Sequence, residues 1–302
     1  MKKLKLLIVL LIGLTIYSCS SDNGTIENSN NEKVLTQIIY QSNPYQFTQN
    51  IEYDNNGNVI KIVDSNGLVL SSNTYNSSNQ LTKHEFHEYQ NGALYFKEID
   101  NLLYNGDGKI SNIEHISHFY DSDENIESQS TVNNSISYSN NTMTKVSDDA
   151  WNTTVEYGLN NELITSIKVY KNDVLKSDMI FNYDADGNCI SGSGPIDEGS
   201  LDTTTDDINL NVTYGTEEKS QFFNMFFDYE ILTYTSFHNL RQVLVNKQGN
   251  RYPEIIQWYQ FSDYIHTETN ENLFDNDGYI TSRILSEFPD YPNYGTMNFI
   301  WE

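Results

Sequence analysis

The chain has 302 residues, with 42 acidic against 17 basic side chains and a formal net charge of −25. So acidic a surface offers no electrostatic footprint for nucleic acid or anionic lipid. Two cysteines exclude a disulfide scaffold, and an apolar content of 37%, tyrosine included, suggests sheet with one wet face rather than a thick two-sided core.

The first element is "MKKLKLLIVLLIGLTIYSC". Lys2, Lys3 and Lys5 precede an apolar run, Leu6 to Ile16, that is too short to span a bilayer as a helix and fits a secretory signal. Its end, "IYSC", resembles the lipobox of bacterial lipoproteins. That resemblance implies a signal peptide at 1–18, diacylglycerol on the Cys19 thiol, cleavage before it and acylation of the new amino group. The membrane is then a partner through the palmitate-class anchor at Cys19. Loss of three lysines leaves 14 basic residues against 42, a net of −28. Residues 19–33 are rich in Ser and Asn and read as a flexible tether with a reach of roughly 20 Å.

From Val34 to Glu302 the pattern is all-β. "YQFTQNIEY" alternates Tyr45, Phe47, Ile51 and Tyr53 with polar residues, and "LKSDMIFNY" and "INLNVTY" do the same. Between such strands a seven-residue unit recurs: an aromatic, Asp or Asn, two free positions, Gly or Asn, one free position, then an aliphatic. Copies begin at Tyr53, Tyr75, Tyr104, Tyr120, Tyr157, Tyr183 and Phe274. Asx at the start and Gly57, Gly108, Gly187 or Gly278 at the left-handed position fit a type I turn with a G1 bulge. That geometry sets the aromatic opposite the aliphatic on one face. "FNYDADGNCISGS" belongs here: Cys189 occupies the aliphatic position and reads as a small hydrophobe. A calcium loop centred on Gly187 would place Ser193 at its twelfth position, where a bidentate carboxylate is needed. The acids therefore read as turn residues.

Two histidine pairs, "HEFH" and "HISH", lie on strand-like segments. Residues three apart on a strand face opposite ways, so a metal could be shared only across strands, with His84 and His118 as the candidates. "SGSGPIDEGSLDTTTDD", 191–207, reads as a long loop or an internal boundary. "TEEKSQFFNMFFDYEIL" lacks alternation and crowds Phe222, Phe223, Met225, Phe226, Phe227 and Tyr229. It reads as a short helix near 216–232, capped by Thr216 or Ser220, or else as an exposed apolar patch for a partner. "GTMNFIWE" alternates as a last strand.

"YDNNGNVIKI", "YDADGNCI" and "FDNDGYITSRI" resemble the YD repeats of Rhs-type proteins. With the lipobox and the Asn-rich tether, the chain looks more like Bacteroidota outer-membrane lipoproteins that carry degenerate YD-like hairpins. The resemblance covers residues 34–302 and supplies no catalytic residues. It implies an antiparallel meander of β-hairpins in a curved or rolled sheet, held at the outer membrane on its periplasmic face or at the cell surface. No GxSxG, HExxH, CxxC or phosphate-cradling glycine loop is present, so no cofactor and no enzyme are expected. The expected role is a non-enzymatic binding or structural module whose partner is an unidentified glycan or protein. The alternatives are a glycan binder, motivated by Trp151, Trp258, Trp301 and the tyrosines, or a carrier of an apolar ligand lined by "FFNMFF".

Overall fold

The computed structural model describes residues 33–42, 45–196, 206–218, 229, 231–232, 243–246, 249–259, 265–288 and 291–302. The signal peptide, Cys19 and nearly all of the tether lie outside these residues, as do Ser220 and the phenylalanines at 222, 223, 226 and 227.

The strands follow one another along the chain. The first six are β1 (Leu35–Ser42), β2 (Tyr45–Tyr53), β3 (Val59–Asp64), β4 (Val69–Tyr75), β5 (Leu81–Gln90) and β6 (Ala93–Tyr104). Next come β7 (Ile110–Tyr120), β8 (Ile126–Ser139), β9 (Thr142–Ser147), β10 (Thr154–Asn160), β11 (Leu163–Lys171) and β12 (Val174–Tyr183). The last six are β13 (Cys189–Ile196), β14 (Asp206–Glu218), β15 (Arg251–Tyr259), β16 (Ile265–Phe274), β17 (Ile280–Phe288) and β18 (Tyr291–Trp301). They form one 18-stranded sheet in which β1 pairs with β2 on one side and β18 on the other. Val34 and Glu302 exchange main-chain bonds of 2.7 and 2.8 Å at that seam.

The open, curved or rolled sheet is therefore corrected to a closed antiparallel β-barrel. The reason is edge chemistry: an open sheet leaves two rows of unpaired N–H and C=O groups, and pairing the first strand with the last satisfies them. Thr216, expected as a helix cap, belongs to β14. Helical backbone occurs within the expected 216–232 span at Tyr229, Ile231 and Leu232, and again at 243–246. The loop expected at 191–207 begins and ends in paired strands, Ser191 opposite Asn211 and Ile196 opposite Asp206.

The turns explain the repeat. Asp54 Oδ1 accepts from the N–H groups of Asn56 and Asn58, at 2.8 and 2.9 Å. Asn76, Asn105, Asp121, Asp184 and Asp275 do the same for the residues two and four ahead. Gly57 has φ +83°, where a side chain would be strained. The register slips by one just before the aromatic, and Tyr53 pairs with Val59, Tyr75 with Leu81, Tyr104 with Ile110, Tyr183 with Cys189 and Phe274 with Ile280. The copy at Tyr157 is a correction. Asn161 and Glu162, at φ 50° and 68°, make a two-residue turn, and Tyr157 pairs with Ile167 rather than Leu163. Asp64 and Asp149 head two further Asx turns that the aromatic pattern misses.

The tyrosines also lock strand ends. Tyr53 donates its hydroxyl to Leu35 O at 2.6 Å, Tyr75 to Val59 O at 2.9 Å and Tyr104 to Leu81 O at 2.7 Å. Tyr183 reaches Ile164 O, and Tyr214 reaches Cys189 O at 3.0 Å. Each ring crosses to the start of the preceding strand, so one residue secures both its own turn and the open end of the hairpin before it.

The chain divides into two compact units, Met1–Asn134 with Asn298–Glu302, and Ser135–Met297. In the first, Ile51, Val59, Ile62, Leu81, Leu102 and Ile113 are buried on one face of the sheet. In the second, Val155, Tyr157, Ile167, Met179, Phe181 and Leu210 are buried with Ile231, Leu232 and 243–245. Lys145 Nζ donates to Leu232 O at 2.7 Å and Tyr157 to Ile231 O at 3.0 Å. Each fully buried aliphatic contributes about 1.5–3 kcal/mol.

Candidate functional site

Alternation sorts the side chains of each unit into a buried face and an exposed one. The exposed face carries polar rows interleaved with apolar side chains such as Leu103, Ile180 and Ile255. In the first unit Glu52, Lys61, Ser72 and Glu85 stand opposite one another across four strands. Glu85 takes Lys83 at 2.7 Å, Lys97 at 2.9 Å and Ser72 at 3.0 Å. Desolvation works to raise its carboxyl, but these three hydrogen bonds outweigh it and hold the pKa down to about 2. In the second unit Asn182, Ser191, Asn211, Gln257 and Thr267 form an unbroken polar row across five strands. Glu156, Lys168 and Asp178 form another.

The buried face of the first unit carries a polar row of its own. Asn73, His84, Asp100 and His115 are successive cross-strand neighbours on β4 to β7. Asn73 Nδ2 donates to Val59 O, and its Oδ1 faces His84 Nδ1 at 2.8 Å. Burial drives the His84 pKa down to about 4, against the opposing pull of Asp100. Asp100 Oδ1 faces His115 Nδ1 at 2.8 Å, and His115 Nε2 faces Ser117 Oγ at 3.1 Å. That order resembles a nucleophile relay. Ser117, however, sits within β7 opposite Glu98, where the ladder engages the main-chain N–H groups that would have to stabilise an oxyanion. Burial raises the Glu98 carboxyl, which sits beside the serine. The row is a satisfied polar core that fixes the register of four strands.

His84 and His118 do not come together. His84 shares its face with Asp100 and His115, whereas His118 flanks Lys97 on the exposed face, with His87 on the other side. Among the described residues no group of three or more His, Cys, Asp or Glu side chains could hold a metal ion. Cys189 is buried, and desolvation pushes its thiol up to about 12. Trp151 lies in an exposed turn and Trp258 is buried. The proposed lining of an apolar-ligand cavity lies outside the described residues.

Sequence reasoning missed one cluster altogether. On β16 and β17 of the second unit, Asn270 is 4% exposed on the buried face and stands opposite Leu285, while Asn272 stands opposite Arg283. The alternation of "TNENLF" would turn Leu273 inward, yet Leu273 is exposed and the asparagines are not. A polar residue at a buried sheet position was the available signal.

No family model matches the chain, and no curated protein matches it. Among solved structures it is similar to a porin-like protein from Bacteroides vulgatus ATCC 8482, with a TM-score of 0.50 and 9% identity, covering 90% of this chain and 99% of that one. A porin-like protein from Bacteroides uniformis ATCC 8492 matches with a TM-score of 0.34 and 15% identity, over 73% of this chain and 97% of that one. At 9% identity the first likeness shows the barrel fold alone.

Proposed function

We propose that this chain is a lipid-anchored, non-enzymatic barrel of the bacterial outer membrane, working as a binding or structural module from the aqueous side. The observation that carries this reading is the charge on the exposed face, where lysines stand among apolar side chains such as Leu103 and Ile180. A barrel that spans a bilayer turns apolar residues outward and polar residues inward. Here Lys61, Lys83, Lys97 and Lys168 lie on the exposed face, while the buried face holds Ile, Leu, Val and Tyr. Each lysine turned to lipid near the bilayer centre would cost about 2–4 kcal/mol. An anchor at Cys19 supplies membrane attachment without asking the strands to meet lipid.

Fractionation of cells carrying the native chain or its Cys19→Ala variant tests this. The native protein should incorporate labelled palmitate and sediment with membranes. The variant should take up no label and remain folded in the soluble fraction without detergent. Insertion of the variant into liposomes, with ion conductance across them, would overturn the proposal.

A further inference from the structure

The buried face of the second unit holds a polar patch that core building does not require. Glu268, Asn270 and Asn272 alternate along β16, with Arg283 opposite Asn272 on β17. Asn272 is used from both ends: its Nδ2 donates to Pro253 O at 3.4 Å, and its Oδ1 accepts from Arg283 Nε at 2.8 Å. The Arg283 guanidinium lies over the ring of Tyr252, 5.7 Å from its centroid. Tyr252 packs in turn on Phe274, with centroids 5.4 Å apart. The fork is thus held in one orientation by an amide on its inner edge and a ring on its face.

That arrangement uses one of its five donors. Among the described residues, neither Nη group of Arg283 makes a hydrogen bond. Burial depresses the pKa of the guanidinium, while Tyr252 and Glu268 act through space to support its charge. The residue as a whole is half-buried while its guanidinium is desolvated, so the group lies recessed. Asn270 Nδ2 reaches Glu268 Oε1 at 3.5 Å, but its Oδ1 is buried without a partner. A buried acceptor left unpaired costs about 1–3 kcal/mol, so a donor brought by a ligand would be favoured there.

The geometry points to a ligand site here for a sugar acid: its carboxylate would be taken by the Nη donors of Arg283, and a ring hydroxyl would donate to Asn270 Oδ1. The assignment rests on the reading of the chain as a binding module and names the chemistry of what it binds. One molecule must bring both an anionic acceptor and a neutral donor, which a simple carboxylate or an uncharged sugar does not. A fork fixed by Asn272 favours a planar carboxylate held by two parallel bonds.

Titration calorimetry of the full mature protein in detergent, with D-glucuronate as probe and D-glucose and acetate as probes lacking one feature each, tests the site. Glucuronate should bind saturably, and more tightly than either comparison probe. Arg283→Lys keeps the charge but loses the fork, and Asn270→Leu removes the acceptor. Each should weaken glucuronate binding by about 10- to 100-fold. Asn270→Leu should also melt no lower than the native protein, since it deletes an unpaired oxygen, and this separates lost binding from lost folding. No saturable binding of glucuronate, binding by either variant unchanged from the native protein, or glucose or acetate binding as tightly as glucuronate would overturn the assignment. Any of these results would leave the palmitate and fractionation test untouched, so failure of the ligand is distinguishable from failure of the anchor.

Discussion

His84 makes the polar core of the first unit measurable. Its ring is buried, its Nδ1 faces Asn73 Oδ1, and desolvation holds its pKa near 4 although Asp100 across the strand and Glu85 beside it favour the charged form. An unfolded histidine titrates near 6.5. Between those values the unfolded chain binds a proton that the folded chain refuses, so stability falls as the pH falls from about 6.5 to about 4, and this contribution changes no further below that. A shift of about 2.5 units corresponds to roughly 3 kcal/mol across the window. His84→Gln removes the titration, while the glutamine amide can still donate to Asn73. Urea unfolding of both proteins at intervals between pH 7 and pH 4 gives the comparison. Glu85 and His87, whose pKa values are also lowered, are common to both proteins and cancel. The native protein should lose about 3 kcal/mol more than the variant. Parallel stability curves, or a His84 resonance titrating near 6.5, would show that the ring is solvated and the core row misassigned.

Tyr183→Phe removes the hydroxyl that Ile164 O accepts and should cost about 0.5–1.5 kcal/mol in urea unfolding. Tyr170→Phe, which loses only a 3.4 Å contact to Glu156 on the exposed face, should cost far less; equal losses would remove the latch from the argument. Gly192→Ala sets a Cβ 2.8 Å from the buried Phe181 ring and should cost about 1–3 kcal/mol, so an unchanged unfolding midpoint would mean that the ring is not seated there. Cys189 should resist a thiol reagent at neutral pH until denaturant is added, because burial keeps it neutral; labelling of the native protein within minutes would place it at the surface.

What the sequence disclosed was what is encoded locally. Tyr53 meets Val59 because Asp54 captures two N–H groups and Gly57 turns left-handed, all within seven residues. The same pattern failed at Tyr157, because an Asn at the fifth position suits either a bulged turn or the two-residue turn that Asn161 and Glu162 form. Asp64 and Asp149 escaped notice because Val63 and Asp148 stand where the motif has a ring. Pairing of β1 with β18 has no local signature at all, since it joins residues from the two ends of the chain. The recess at Asn270 and Arg283 was hidden by an inverted alternation, in which the one aliphatic residue of "TNENL" faces outward.

A pore and a water-facing barrel can share a backbone, because hydrogen-bond closure is indifferent to which face carries the apolar side chains; fold alone does not choose between them. Side-chain placement bears on the choice. Each hairpin here is too small to be stable by itself, and the tyrosine latches pass from one hairpin to the strand before it, so cohesion comes from the sheet's own buried face. The row Asn182, Ser191, Asn211, Gln257 and Thr267 would lose its water if lipid lay against it. The lipid proposed on Cys19 would supply membrane attachment independently of the strands.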